Sequence, residues 1–257
     1  MSNHYPHCDC FDAFYQWEDR FEGVDDDDRD HLKRLDSLPL TWAEMIPHQD
    51  DYSSDKHSHA FAKAQQIIED AKKQCARKLV FRTLMSSDEY QDLVAVPKSI
   101  GDLGDLKELD LYASNLTFIP REISKCTSLR KFVSYTSYRL HWFPYEITQC
   151  LSLVDSTVST RALYGNYKFR PPFPNLRRHR ISVYDDDPWC SICRKRGQVM
   201  DFHQYWISLP VATDVIPLLI TVCSDSCLKE VGHSPEGYIQ GTHEGGLEVV
   251  QPPIEGK

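Results

Sequence analysis

A repeat with a period of 23 or 24 residues is the feature of this chain that most restricts its fold. Four columns keep this spacing together through three copies: a proline (Pro97, Pro120, Pro144), an isoleucine (Ile100, Ile123, Ile147), a leucine or cysteine (Leu103, Cys126, Cys150) and a leucine (Leu106, Leu129, Leu153). A period of about 20 to 50 residues indicates one supersecondary unit repeated along the chain. Since one such unit cannot bury its apolar face alone, neighbouring units must stack around a shared core.

The best-preserved copy, "LKELDLYASNLTFIPREI", contains a short strand and a returning limb. Leu109 and Leu111 alternate with polar residues, and alternating side chains of a strand point to one face. Leu116, Ile119 and Ile123 follow the strand and are expected to fill the same interior. The two later copies are less apolar at the matching strand positions, which are Phe132, Ser134, Ser156 and Val158.

The stretch "LDLYASNLTFIPREISKCTSLRKF" resembles a leucine-rich repeat of the short type. That family follows L-x-x-L-x-L-x-x-N-x-L and then x-x-I-P-x-x-I, and the resemblance covers roughly residues 94–177. The chain departs from the pattern at Ser114, where the family has a ladder asparagine, and Asn115 stands next to it. The resemblance implies a solenoid of stacked parallel strands, and the departure indicates an irregular turn.

The outward side chains of the predicted strands form the candidate partner-binding face. Its members alternate with the inward residues on three strands: Glu108, Asp110, Tyr112, Lys131, Val133, Tyr135, Asp155 and Thr157. Tyr112 and Tyr135 are expected to be neighbours, and rigid aromatic rings beside small polar groups are favoured at protein-binding hot spots. Alternatively, the tyrosines only support each other, and Glu108, Lys131 and Asp155 form a ladder of charges across the strands.

Two closely spaced cysteine pairs follow the repeats and are candidate metal ligands. Cys190 and Cys193 form C-x-x-C, and Cys223 and Cys227 form C-x-x-x-C. Zinc prefers tetrahedral sets of thiolate and imidazole ligands, and four sulfurs leave no open position for water. The spacing therefore predicts a structural Zn²⁺ ion, and the alternative is a set of free thiols packed in a small cytosolic core.

The second pair resembles a treble-clef zinc finger, in which a knuckle leads into a helix. In "VCSDSCLKEV", Ser224 would cap that helix and Cys227 would lie in its first turn. Some treble clefs are nucleases, and His203 in "MDFHQYW" stands where such a family has its first catalytic histidine. The middle asparagine of that family is missing, and Leu228 follows Cys227 in place of a metal-binding histidine. A degenerate, HNH-like zinc nuclease is the alternative function.

A second group of ligand-type residues lies near the start of the chain. The group consists of His4, His7, Cys8 and Cys10, whose side chains can bind metals. Terminal segments are commonly mobile, so the sequence does not decide whether these residues form a second metal site. A cysteine enzyme acting through Cys8 is a further alternative. The chain has no phosphate loop, no G-x-S-x-G and no cysteine and histidine pair with an orienting third group, so we expect that it is not an enzyme.

These observations predict an α/β protein in four parts. The parts are an N-terminal helical region or cap (residues 1–75), a short leucine-rich-repeat solenoid (76–180), a small α+β zinc-binding module (181–233) and a flexible tail (234–257). Apolar residues at every third or fourth position indicate the helical cap: Phe61, Ala64, Ile68, Ala71 and Cys75. The final segment is rich in Gly, Pro and Glu, a composition typical of a flexible tail.

The composition restricts the partners and the compartment. A formal net charge of −9 disfavours binding to nucleic acids or anionic membranes, because phosphate groups require a basic surface. No apolar run reaches the roughly eighteen residues of a membrane helix, and the first residues lack the basic and apolar regions of a signal peptide. Nine cysteines, an odd number, suit thiols or metal ligands in the cytoplasm.

We therefore expect a cytoplasmic, non-catalytic protein that binds a protein partner through its leucine-rich-repeat surface. A narrower version of this hypothesis is that the protein inhibits a basic partner, as an immunity protein masks a toxin. The net charge of −9 and the acidic runs at residues 25–28 and 185–187 motivate this version.

Overall fold

The computed structural model describes residues 59–168, 170–246 and 248–253. Within them the α-helices are α1 (His59–Lys73), α2 (Ser87–Gln91) and α3 (Asp225–Lys229). The strands are β1 (Lys78–Val80), β2 (Glu108–Asp110), β3 (Lys131–Ser134), β4 (Phe143–Pro144), β5 (Asp155–Val158), β6 (His203–Val211) and β7 (Asp214–Val222). Short 3-10 helices cover Phe81–Thr83, Lys98–Asp102, Arg121–Lys125, Tyr145–Gln149, Thr160–Ala162 and Val199–Asp201.

The strands of the repeat form a parallel four-stranded sheet in the order β1-β2-β3-β5. Lys78 lies opposite Glu108, Glu108 opposite Lys131, and Lys131 opposite Asp155. Glu108, Lys131 and Asp155 occupy the same position in successive copies of the repeat. The predicted register between the copies is therefore confirmed.

Each copy returns from its strand through a proline and a short 3-10 helix. Ile100, Ile123 and Ile147 lie in these helices and are buried. Cys126 donates its S–H to the carbonyl oxygen of Ile100, and Cys150 donates to Ile123, both at 3.2 Å. Burial raises the pKa of both thiols to about 12, so they keep the proton that they donate. These two bonds join each copy to the one before it.

Serine side chains occupy the turn where the family pattern has a ladder asparagine. Ser114 Oγ lies 2.8 Å from Ser137 Oγ, and Ser137 Oγ donates to the carbonyl oxygen of Leu111 at 2.9 Å. The residues before these serines, Ala113 and Thr136, have φ angles of 56° and 59°, in the left-handed region that residues other than glycine rarely adopt. The irregular turn indicated by Ser114 is present, and it recurs in the next copy.

A second sheet joins the repeat region to the cysteine-containing region. Its order is β4-β7-β6, with β4 parallel to β7 and β6 antiparallel to β7. Strand β4 belongs to the repeat region, and Phe143 in β4 lies opposite Leu218 in β7. The tip of the β6–β7 hairpin also contacts the last parallel strand, because Ser156 Oγ donates to a carboxylate oxygen of Asp214 at 2.6 Å.

The expected fold class, a leucine-rich-repeat solenoid with a helical cap and a small zinc-binding module, is wrong. The described residues form one parallel and one mixed sheet with only three α-helices, and no leucine-rich-repeat solenoid is present in them. The physical reason is the hairpin. Its strand β7 is an apolar run that is buried on both faces, and its edge pairs with β4 of the repeat region, so the hairpin becomes part of the repeat region's core and does not form a separate module. One cluster of buried side chains consequently extends from α1 to Val231.

The two ends of the described chain pack against this structure. The expected helical face is confirmed in α1 for Phe61, Ala64, Ile68 and Ala71, which are buried. It is wrong for Cys75, which is exposed beyond the end of α1 and has a φ of 48°, outside the helical region. Residues 1–58 of the predicted cap lie outside the described residues. Near the C-terminus, His243 exchanges two backbone hydrogen bonds with Trp206 in β6, at 2.7 and 3.0 Å. The domain limits, including a flexible tail from residue 234, stay predictions. No helix in the described part of the chain has the length and apolar character needed to cross a membrane.

Candidate metal centre

The four predicted ligand cysteines meet at one point of the structure. The Sγ atoms of Cys190, Cys193, Cys223 and Cys227 all lie within 4.8 Å of one another. The distance from Cys193 Sγ to Cys223 Sγ is 3.6 Å, and the distance from Cys223 Sγ to Cys227 Sγ is 3.8 Å. Four sulfurs placed about 2.3 Å from a tetrahedral zinc ion would be about 3.8 Å apart. The four cysteines could therefore hold a metal ion.

The first pair lies on a tight turn that the C-x-x-C spacing requires. The turn is closed by hydrogen bonds from Cys190 N to Lys195 O at 2.9 Å and from Arg194 N to Cys190 O at 3.0 Å. Arg194 adopts the left-handed region with φ 63°, directly after Cys193. This backbone reversal brings Cys190 and Cys193 to the same side of the turn, with Cys190 buried and Cys193 exposed.

The second pair lies where β7 ends and α3 begins. Cys223 follows the last residue of β7, and Ser224 Oγ accepts a hydrogen bond from Cys227 N at 3.3 Å. Ser224 is thus the N-cap of α3, as the sequence predicts. The cap places Cys227 in the first turn of the helix, directed back towards Cys223.

Hydrogen bonds hold the two cysteine pairs together. Ser191 N donates to Thr221 O at 2.7 Å, and Thr221 N donates to Ser191 Oγ at 3.0 Å. The long sequence gap between the pairs is taken up by the β6–β7 hairpin, which leaves the first pair and returns to it. The long gap is therefore compatible with one shared site.

The electrostatics of the four thiols favour a bound cation. Burial raises the pKa of Cys190, but hydrogen bonds from the backbone amides of Cys193, Ile192 and Cys223 lower it by more. The net pKa is about 7, below the ordinary value of a thiol. Burial, followed by hydrogen bonding with the neighbouring thiols, raises the pKa of Cys223 to about 12. Several thiolates this close repel one another without a cation, and thiolate ligands select soft ions such as Zn²⁺ or iron.

A buried ion pair, which the sequence interpretation missed, connects this site to the repeats. Arg121 and Glu146 lie in successive 3-10 helices of the repeat, and Arg121 Nη2 donates to a carboxylate oxygen of Glu146 at 2.6 Å. Arg121 Nη2 also donates to the carbonyl oxygen of Trp189 at 2.7 Å and lies 3.3 Å from Ser191 Oγ. These two residues flank Cys190. The one sequence feature that could have indicated this ion pair is a glutamate at the same position in two copies of the repeat, Glu122 and Glu146.

The candidate partner-binding face is only partly free of internal contacts. The rings of Tyr112 and Tyr135 are neighbours, with 6.4 Å between their centres, as expected. Three of the four charged members of the face form ion pairs across the strands: Glu108 with Lys78 at 2.8 Å, and Lys131 with Asp155 at 3.3 Å. Asp110 accepts a hydrogen bond from Tyr112 N instead. Charge pairing therefore occurs beside the tyrosines, and partner binding by this face stays a prediction.

Two other groups of predicted residues are placed less favourably for function. His203 is exposed at the start of β6, and the group of ligand side chains found in the described residues contains the four cysteines without it. The acidic run 185–187 already forms ion pairs within the chain: Asp185 pairs with Arg180, Asp186 with Lys98 and Asp187 with Arg196. His4, His7, Cys8 and Cys10 and the acidic run 25–28 lie outside the described residues.

Comparison with protein-family models, with curated proteins and with solved structures found no match for this chain.

Proposed function

We propose that this chain is a non-catalytic, cytoplasmic protein-binding protein whose C-terminal region is stabilised by a structural zinc ion on Cys190, Cys193, Cys223 and Cys227. The observation that carries this proposal is the closed set of four sulfurs, all within 4.8 Å of one another. Four thiolates fill the tetrahedral coordination of zinc, so no position remains for a water molecule or a substrate. A nuclease would need such an open position.

Zinc would act here by joining two short backbone segments, in addition to the hydrogen bonds between Ser191 and Thr221. These segments are the turn with Cys190 and Cys193 and the start of α3 with Cys227, and each has one buried cysteine beside exposed residues. A small α-helix of five residues has little stability of its own, because nucleation costs as much as its few hydrogen bonds return. The cytoplasmic location is supported by the use of cysteines as ligands and buried thiols.

The proposed binding surface is centred on Tyr112 and Tyr135. Tyr112 N donates to a carboxylate oxygen of Asp110 at 2.9 Å, and Tyr90 donates its hydroxyl hydrogen to Tyr112 O at 2.9 Å. Tyr135 O accepts a hydrogen bond from Ala113 N at 2.9 Å. The backbone of both tyrosines is thus fixed before a partner arrives, which reduces the entropy lost on binding.

The chemistry around the tyrosines favours a neutral, apolar contact by the partner. The guanidinium of Arg82 lies 4.9 Å from the centre of the Tyr112 ring, and Tyr135 is 49% exposed. Glu108, Lys131 and Asp155 of this face are held in ion pairs, so these three charges attract a charged partner only weakly. Inhibition of a basic partner is the narrower version of the proposal, and its remaining support is the net charge of −9.

The test is a comparison of partner binding between variants that lose exposed tyrosines on different parts of the protein. The protein is purified from its own cells with its partner, and the dissociation constant of the identified complex is then measured. Tyr112→Ala with Tyr135→Ala should weaken binding at least tenfold, whereas Tyr167→Ala, at a tyrosine that is 55% exposed elsewhere, should leave it unchanged. Equal binding by all three chains would contradict the proposed surface.

A further inference from the structure

The four thiols of the metal centre differ sharply in their access to solvent. Cys193 is exposed and Cys223 is partly exposed, whereas Cys190 and Cys227 are 0% and 8% exposed. The two accessible sulfurs lie 3.6 Å apart. They belong to different elements, the turn after Trp189 and the end of β7, so a bond between them would link the two halves of the site.

We propose that Cys193 and Cys223 form a site of reversible oxidation by hydroperoxides, an inference that rests on the proposed metal site. Oxidation joins the two sulfurs in a disulfide and removes two of the four ligands. The ion is then released, because the two sulfurs that remain cannot hold it as four did.

The reaction proceeds in two balanced steps. The Cys193 thiolate attacks one oxygen of the hydroperoxide, the O–O bond breaks, and the products are a sulfenic acid on Cys193 and a hydroxide or alkoxide ion. The Cys223 thiolate then attacks the Cys193 sulfur, the S–OH bond breaks, and hydroxide leaves. In total, two thiolates, one hydroperoxide molecule and two protons yield one disulfide and two molecules of water, or one water and one alcohol.

The geometry selects this pair from the four cysteines. A hydroperoxide meets Cys193 first, because its sulfur is the most accessible one of the site. Cys190 is a poorer second partner, since it is completely buried and its sulfur accepts hydrogen bonds from three backbone amides. Cys227 is buried in the capped first turn of α3. Cys223 is therefore the sulfur that can approach the oxidised Cys193.

Contacts on the far side of the turn make the change reversible. Arg121 holds the carbonyl oxygen of Trp189 at 2.7 Å, and Ser191 N donates to Thr221 O at 2.7 Å. Neither contact involves a sulfur. The base of the turn thus stays attached to the repeats after the ion leaves. A dithiol then reduces the Cys193–Cys223 disulfide to two thiols and is itself oxidised to a disulfide, which returns four sulfurs to nearly the same positions.

The experiment uses the full chain with Cys8, Cys10 and Cys75 replaced by serine. These replacements remove three thiols outside the site that could also react with peroxide. The zinc content is measured first. Hydrogen peroxide is then added, zinc release is followed with a coloured chelator, and disulfide-linked peptides are identified by mass spectrometry. We expect about one zinc ion released per disulfide formed, a linked peptide pair containing Cys193 and Cys223, and full zinc rebinding after treatment with a dithiol.

The outcomes separate this proposal from the metal site itself. A chain that is folded and carries no zinc before oxidation contradicts the metal site, and the oxidation proposal with it. A chain that carries zinc but yields a Cys190–Cys193 disulfide, sulfinic acids alone, or no release at peroxide concentrations that oxidise free cysteine contradicts the oxidation proposal and leaves the metal site intact.

Discussion

Arg121 and Glu146 form an ion pair in the interior of the protein, with 2.6 Å between Nη2 and the carboxylate oxygen. The side chains are 2% and 0% exposed. The guanidinium also lies 4.3 Å from the centre of the Trp189 ring and 5.2 Å from that of Tyr184. Because Trp189 precedes Cys190, this pair fixes the candidate metal centre to the repeat region.

Replacing Glu146 by Gln should destabilise the protein strongly. The change leaves the Arg121 charge buried without its counter-ion, which typically costs about 3 to 5 kcal/mol. Asp155→Asn is the matched control, because its pair with Lys131 is about half exposed and such pairs contribute about 1 kcal/mol or less. Urea unfolding of both variants measures the free energies. Similar small losses for the two changes would show that the buried pair is not essential.

Two glycines of one copy should respond differently to alanine. A Cβ on Gly101 would lie 2.7 Å from the carbonyl oxygen of Glu122, whereas a Cβ on Gly104 would meet nothing closer than Lys125 O at 3.9 Å. Gly101→Ala must push neighbouring 3-10 helices apart, at a cost of about 1 to 3 kcal/mol. Gly104→Ala should be neutral or slightly stabilising. Thermal unfolding compares them, and an equal effect at both sites would contradict the close packing of the copies.

Acid should destabilise the fold through His141 and His243. Burial lowers the pKa of each to about 4, from the ordinary value of 6.5. The unfolded chain therefore binds more protons between these values, so the stability is present above pH 6.5 and is lost as the pH falls towards 4. Each histidine contributes about 3 kcal/mol across this window. Burial raises the pKa of Glu122 and Asp214, which offsets part of the loss.

The measurement for this prediction is urea unfolding at several pH values between 7 and about 4.5. The chain with His141→Gln and His243→Gln should lose less stability over this range than the unchanged chain. Exposed His203→Gln is the control and should leave the pH dependence unaltered. Parallel stability curves for all three proteins would show that the two buried histidines do not control the acid response.

The sequence predicts local features of this protein better than its overall arrangement. The constant period of the repeat predicts the register of the copies. Local spacing predicts the C-x-x-C turn, the C-x-x-x-C segment and the Ser224 cap, because each depends on residues close together in a turn. The pairing of Phe143 with Leu218 does not, since strand pairing between distant segments has no short sequence signature. The burial of Arg121 is equally unpredictable from the sequence, because an arginine is expected at the surface unless its buried partners are known.

Metal analysis of the purified chain tests the central claim most directly. The account predicts about one zinc ion per chain, lost together with thermal stability in Cys190→Ser and retained in Cys75→Ser, whose exposed sulfur lies outside the site. A folded chain without bound metal, or one whose metal content and melting temperature are unaffected by Cys190→Ser, would contradict it.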